Sequence, residues 1–237
     1  MDKKIRTLKE KVFQANMLLK KNNLITLTWG NVSEIDRELG LIAIKPSGVD
    51  YETMCIDDIV ITDLDGNVVS GKLKPSSDLP THVELYKSFE NIGAVAHTHS
   101  KWATVFAQAK RCIPMLGTTH ADTFYGDIPC TRELTLTEIE GNYEKETGSV
   151  IAEEFANRNY NAIPGVLVAS HGPFTWGNTG IAAVNNSVVL EEVAMMAYLT
   201  RMLNESVHFD SALADKHYFR KHGARAYYGQ EIKNDNR

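Results

Sequence analysis

The chain has 237 residues, 43% hydrophobic and 23% charged, with a formal net charge of −5. That length supports one domain with a full core, and a negative chain without a basic run argues against a nucleic-acid surface. Cys55, Cys112 and Cys130 are widely spaced with no CxxC pair, and no stretch has signal-peptide or transmembrane character, so a soluble cytoplasmic protein without membrane association is expected.

Ile5, Leu8, Val12, Ala15 and Leu19 recur at helical spacing and predict an opening amphipathic helix. Two hairpin-like segments follow. In the first, Thr26–Ser33 leads through Arg37-Glu38-Leu39-Gly40 into Leu41–Lys45. In the second, Asp58–Thr62 turns at Asp65-Gly66 into Asn67-Val68-Val69. Asp78-Leu79-Pro80 has the form of a helix start, continued by His82, Leu85, Tyr86 and Phe89. An apolar strand then runs into His97-Thr98-His99, and a helix passes through Trp102, Val105 and Phe106. Gly117–Asp122 reads as a short strand or loop, Thr147–Asn159 as a helix, and Pro164–Ser170 as a second apolar strand ending in His171. Helices over Gly180–Leu203 and Ser211–His222 complete the chain, with Gly223 as a stop. Strands and helices mix without strict alternation, which predicts a single α+β or α/β domain over residues 1–230, its central sheet flanked by helices, and a polar tail at 231–237.

Residues two apart in a strand point to the same side, so His97 and His99 leave a buried strand together, near the separation that two ligands of one metal need. Two structural histidines at a strand end would look the same. His171 adds a third candidate, and three neutral imidazoles with an open position are the makeup of a catalytic zinc site. Three small polar turns, Gly30-Asn31, Ser47-Gly48 and Ser76-Ser77, expose backbone N–H groups and hydroxyls suited to an anion, and Lys45 could add a full positive charge. Ordinary turns and helix caps use the same residues. Asp78 is a helix cap or a carboxylate beside the metal; Asp122 is a solvated loop residue or a general base. Tyr228 is a phenol able to donate a proton at neutral pH, and His217 fits a surface or a site equally.

Seven blocks in one order make the chain recognisable: Leu27–Ser33, Ile44–Val49, Lys74–Asp78, His97–Ser100, Gly117–Asp122, Ser170–Pro173 and Ala226–Gln230. Over nearly its whole length the chain resembles the L-ribulose-5-phosphate 4-epimerases of the class II aldolase family, to which the L-fuculose-phosphate aldolases and the adducin heads also belong. The resemblance implies a three-layer α/β fold with a central, mostly antiparallel sheet. It also implies a fourfold homotetramer with active sites between neighbouring subunits. Zinc is implied at His97, His99 and His171 with Asp78 as the further group, Mn²⁺ or Co²⁺ being substitutes that imidazoles accept. Phosphate contacts are implied from Gly30, Asn31, Ser47, Gly48, Ser76 and Ser77, and proton transfer from Asp122 and Tyr228. Lys45 and His217 are counted with the substrate-binding residues.

The implied reaction interconverts L-ribulose 5-phosphate and D-xylulose 5-phosphate by cleaving C3–C4, rotating the aldehyde and rejoining the bond. Fuculose-phosphate aldolases carry Glu where this chain has Asp78, and the shorter carboxylate points to epimerisation. An aldolase that releases its aldehyde, an adducin-like scaffold and a zinc hydrolase are the competing readings.

Overall fold

The computed structural model describes residues 2–224 and 226–227. The opening apolar repeat folds as helix α1 (Asp2–Lys21), which buries Leu8, Val12, Ala15 and Leu19 along one face. The strands are β1 (Asn31–Asp36), β2 (Leu41–Ile44), β3 (Val60–Asp63), β4 (Val68–Ser70), β5 (Ala94–His97), β6 (Gly165–Leu167) and β7 (Pro173–Gly177). They form one seven-stranded sheet in the order β4-β3-β2-β1-β5-β7-β6, and every pairing is antiparallel. The other helices are α2 (Leu79–Ser88), α3 (Lys101–Gln108), α4 (Thr118–Ala121), α5 (Leu136–Glu140), α6 (Tyr143–Glu154), α7 (Gly180–Leu203) and α8 (Ser211–His222).

Strand alternation sorts the core into two faces. Val32, Ala94 and Ala96 pack with Ala15 and Leu19 of α1 and with Ala183 and Val184 of α7. Ile35, Ile42, Ile44, Val60 and Val95 pack on the opposite side with Val83 and Tyr86 of α2 and Ile151 of α6. The outcome is helices on both sides of an antiparallel sheet, as the resemblance implies. No helix among the described residues is long and apolar enough to cross a membrane.

The pairing pattern decides where the chemistry collects. Because β7 is antiparallel to both β5 and β6, those two strands run the same way and end at one edge of the sheet. Asn31 at the start of β1 pairs with His97 at the end of β5, and Ile44 at the end of β2 lies opposite Ser33. An isolated bridge between Pro46 and Pro75 brings the segment before α2 to the same edge.

Four local expectations need correction. The predicted strand over Thr26–Ser33 begins only at Asn31, because Leu27 (φ 54°) and Gly30 (φ 82°) turn the backbone first. Gly117–Asp122 contains a helical turn, closed by Asp122 N–H donating to the Thr118 carbonyl at 2.9 Å. The helix predicted over Thr147–Asn159 begins four residues earlier and ends at Glu154. His171 does not end a strand: Ser170 (φ 63°) reverses the chain, and His171 sits in the tight connection from β6 to β7.

Candidate metal and substrate site

Among the described residues, His97, His99 and His171 place their donor nitrogens within 4.8 Å of one another. The Nε2 atoms of His97 and His99 are 3.0 Å apart. His97 Nδ1 lies 3.0 Å from the Pro173 carbonyl, an acceptor, so Nδ1 carries the proton and Nε2 keeps its lone pair. Phe174 stacks on the His97 ring at 4.1 Å and holds its plane. Fixing one ring nitrogen to orient the other is how proteins prepare a histidine as a metal ligand.

Electrostatics agree with that use. Burial, reinforced by the neighbouring His97 and His99, lowers the pKa of His171 to about 3. Burial and the nearby His97 lower that of His99 as well. Both imidazoles are therefore neutral at pH 7, as ligation requires. Three imidazole nitrogens around one point suit zinc or a related divalent cation, so the residues present fit the metal that the resemblance implies.

A cavity of about 420 Å³ opens beside these rings, lined by His99, His171, Asp78, Lys45 and all three small polar turns. Gly30 is required here: a Cβ at this position would stand 2.8 Å from the His97 carbonyl oxygen, and its φ of +82° strains any other residue. Asp78 precedes α2, yet its carboxylate makes no capping bond to the helix. Asn31 Nδ2 instead donates to Asp78 Oδ2 at 2.6 Å and to Ser76 Oγ at 3.1 Å. Burial works against ionisation of Asp78, but the adjacent His97 and His82 and the Asn31 hydrogen bond outweigh it, and the carboxyl titrates below its ordinary range. Lys45 is 2% exposed; its ammonium donates to the Val49 carbonyl at 2.8 Å, and burial lowers its pKa to about 8.

Asp122 and His217 meet elsewhere, and neither lines the histidine cavity. His217 Nδ1 is 3.1 Å from Asp122 Oδ1, Arg220 donates to both carboxylate oxygens at 3.0 and 3.1 Å, and Lys221 stands 3.3 Å from Oδ2. Burial opposes the charge on Asp122, but these donors prevail and lower its pKa. Tyr228 lies outside the described residues. Five cavity residues were not singled out as site residues from the sequence: Thr28, Pro46, Trp29, whose ring is 5.9 Å from that of His99, and Tyr143 and Glu144 at the start of α6. Thr28, Trp29 and Pro46 lie within recognisable sequence blocks, whereas only the docking of α6 brings Tyr143 and Glu144 to the cavity.

Residues 10–198 match the family model described as the class II aldolase and adducin N-terminal domain. Among solved structures, an L-fuculose 1-phosphate aldolase is 27% identical with a TM-score of 0.74, the match covering 89% of this chain and 94% of that one. L-fuculose 1-phosphate aldolase from Glaciozyma antarctica PI12 is 18% identical with a TM-score of 0.75, covering 91% and 81%. A sugar-phosphate aldolase from Thermotoga maritima is 17% identical with a TM-score of 0.63, covering 89% and 99%. At these lower identities the likeness is one of fold.

Proposed function

The chain belongs to the class II aldolase and adducin N-terminal domain family, and from that premise we propose that it is a zinc-dependent 4-epimerase interconverting L-ribulose 5-phosphate and D-xylulose 5-phosphate. The observation that carries this reading is the convergence of His97, His99 and His171 beside a cavity bordered by Asp78 and three anion-suited turns.

The C4 hydrogen of a ketopentose phosphate is not adjacent to its C2 carbonyl, so inverting C4 by direct deprotonation is difficult. Breaking and remaking C3–C4 avoids that step. A divalent cation held by the three imidazoles supplies Lewis-acid stabilisation of the negative charge left on the ketose fragment. The turns at Gly30-Asn31, Ser47-Gly48 and Ser76-Ser77, with the Lys45 charge behind them, retain the phosphate of the aldehyde while it rotates. Asn31 holds the short Asp78 carboxylate back against Ser76, which supports epimerisation over use of that carboxylate as a mobile base.

Proton transfer at the C4 oxygen falls to Asp122 on one side and Tyr228 on the other. Asp122 stands apart from the histidine cavity of its own chain, which supports a homotetramer whose sites are completed by neighbouring subunits. A cytoplasmic location accords with such a metabolic enzyme.

The second reading is an aldolase, favoured by the 27% identity to an L-fuculose 1-phosphate aldolase. One incubation separates them. The zinc-loaded protein with L-ribulose 5-phosphate yields D-xylulose 5-phosphate if it is the epimerase, and free glycolaldehyde phosphate without that ketose if it is the aldolase.

A further inference from the structure

His97 is oriented by a backbone carbonyl, but His171 sits in a turn and, among the described residues, has no equivalent main-chain partner for its Nδ1. Its hydrogen-bonding contact is with the phenol oxygen of Tyr143, at 3.4 Å. The two rings are 6.3 Å apart at 30°, and both line the cavity. Tyr143 is the first residue of α6, and that helix is fixed independently of the histidines. Thr81 of α2 donates its hydroxyl to the Glu144 carbonyl. Gly148 lets α6 lie so close to α2 that a Cβ there would come within 2.5 Å of Glu84 Cβ. The helix carrying Asp78 at its start is thus tied to the residue that touches His171.

We propose that Tyr143 is a positioning residue for the metal ligand His171. Its phenol oxygen accepts the Nδ1 proton, which fixes the tautomer with the lone pair on Nε2 and turns that nitrogen toward His97 and His99. A phenol that accepts in this way keeps its own O–H for the cavity. The inference rests on the metal reading given above, and it concerns metal binding alone, whatever the sugar chemistry. Outer partners of metal-bound histidines typically contribute about 10–100-fold to affinity or activity.

Tyr143→Phe keeps the ring and removes only the oxygen. The test measures zinc affinity of the full-length protein by competition with a chromogenic chelator, beside His171→Ala as reference, and records the visible absorption of the cobalt-loaded forms. The expected result is zinc binding weakened by about 10–100-fold with a shifted cobalt spectrum, and unchanged far-ultraviolet circular dichroism. Wild-type affinity in Tyr143→Phe overturns the proposal, and so does weakened binding with an unaltered cobalt spectrum. Thr81→Val, which frees the start of α6, is expected to weaken zinc binding in the same direction. If the wild-type protein binds zinc through His171 yet epimerises nothing, the inference stands and the epimerase reading falls. If His171→Ala binds zinc as the wild type does, both fall.

Discussion

The Nε2 atoms of His97 and His99 face each other across 3.0 Å, although strand β5 ends at His97. Two neutral nitrogens this close are compatible only if one of them donates a proton to the other. A cation in place of that proton would give both lone pairs a partner, and His171 would supply a third ligand. Beyond the strand the chain runs on without a bend, Thr98 N–H still donating to the Pro173 carbonyl at 3.3 Å, so both rings stay over one edge of the sheet.

Asp122→Asn and Tyr228→Phe are expected to slow turnover by about 10²–10⁴-fold, the usual contribution of a general acid or base. Zinc content is expected to stay at the wild-type level, since neither residue is placed among the ligands. Steady-state rates and metal analysis on the same preparations check this. Near-native turnover in either variant removes that residue from the scheme.

Subunit sharing has its own consequence. If Asp122 and Tyr228 of one site come from different chains, mixing inactive Asp122→Asn with inactive Tyr228→Phe protein regenerates some intact sites. Activity is expected to reappear after subunit exchange. Verified mixed oligomers that stay inactive show that each chain carries its own pair.

If Lys45 binds the substrate phosphate as proposed, the substrate affinity is expected to depend on pH. Burial lowers its pKa from 10.5 to about 8, so the ammonium loses its charge as pH rises through that value. KM for the phosphorylated ketose is expected to climb above about pH 8. Lys45→Met is expected to show a raised KM that no longer changes in this range. A wild-type KM that is flat across it separates Lys45 from phosphate binding.

Three histidines, His82 and His120 buried and His171 half-buried, are expected to set the acid stability of the metal-free protein. Burial lowers the pKa from 6.5 to about 3 for His82, about 4 for His120 and about 3 for His171. Below 6.5 the unfolded chain binds more protons than the folded one, so stability is complete above that pH and is lost as pH falls toward 3 to 4. At about 1.4 kcal/mol per unit for each group, chelator-treated protein is expected to melt markedly lower at about pH 5 than at about pH 7.5. Equal melting temperatures would mean that these rings take up protons without unfolding.

Much of this arrangement is legible in the sequence because it is locally encoded. Gly180–Leu203 and Ser211–His222 fold as predicted, since apolar periodicity and a helix stop define them within one stretch. The three polar turns and the histidines gather as expected because strand direction carries them to one edge. Thr26–Trp29 reads as strand from its Thr and Trp content, but positive φ at Leu27 and Gly30 overrides that propensity. Strand β7 begins at Pro173, which punctuates the sequence yet is tolerated as the first residue of a strand. Tyr143 becomes a neighbour of His171 only through the packing of α6 on α2, which no spacing in the chain reveals.

The claim on which the rest depends is that three imidazoles hold one divalent cation. Metal analysis of the purified protein after zinc loading and dialysis, beside His97→Ala, His99→Ala and His171→Ala, tests it most directly. One tightly held zinc per wild-type chain, and none retained by any of the three variants, is the expected result. Full zinc retention in those variants, or no zinc on the wild-type chain, would contradict it.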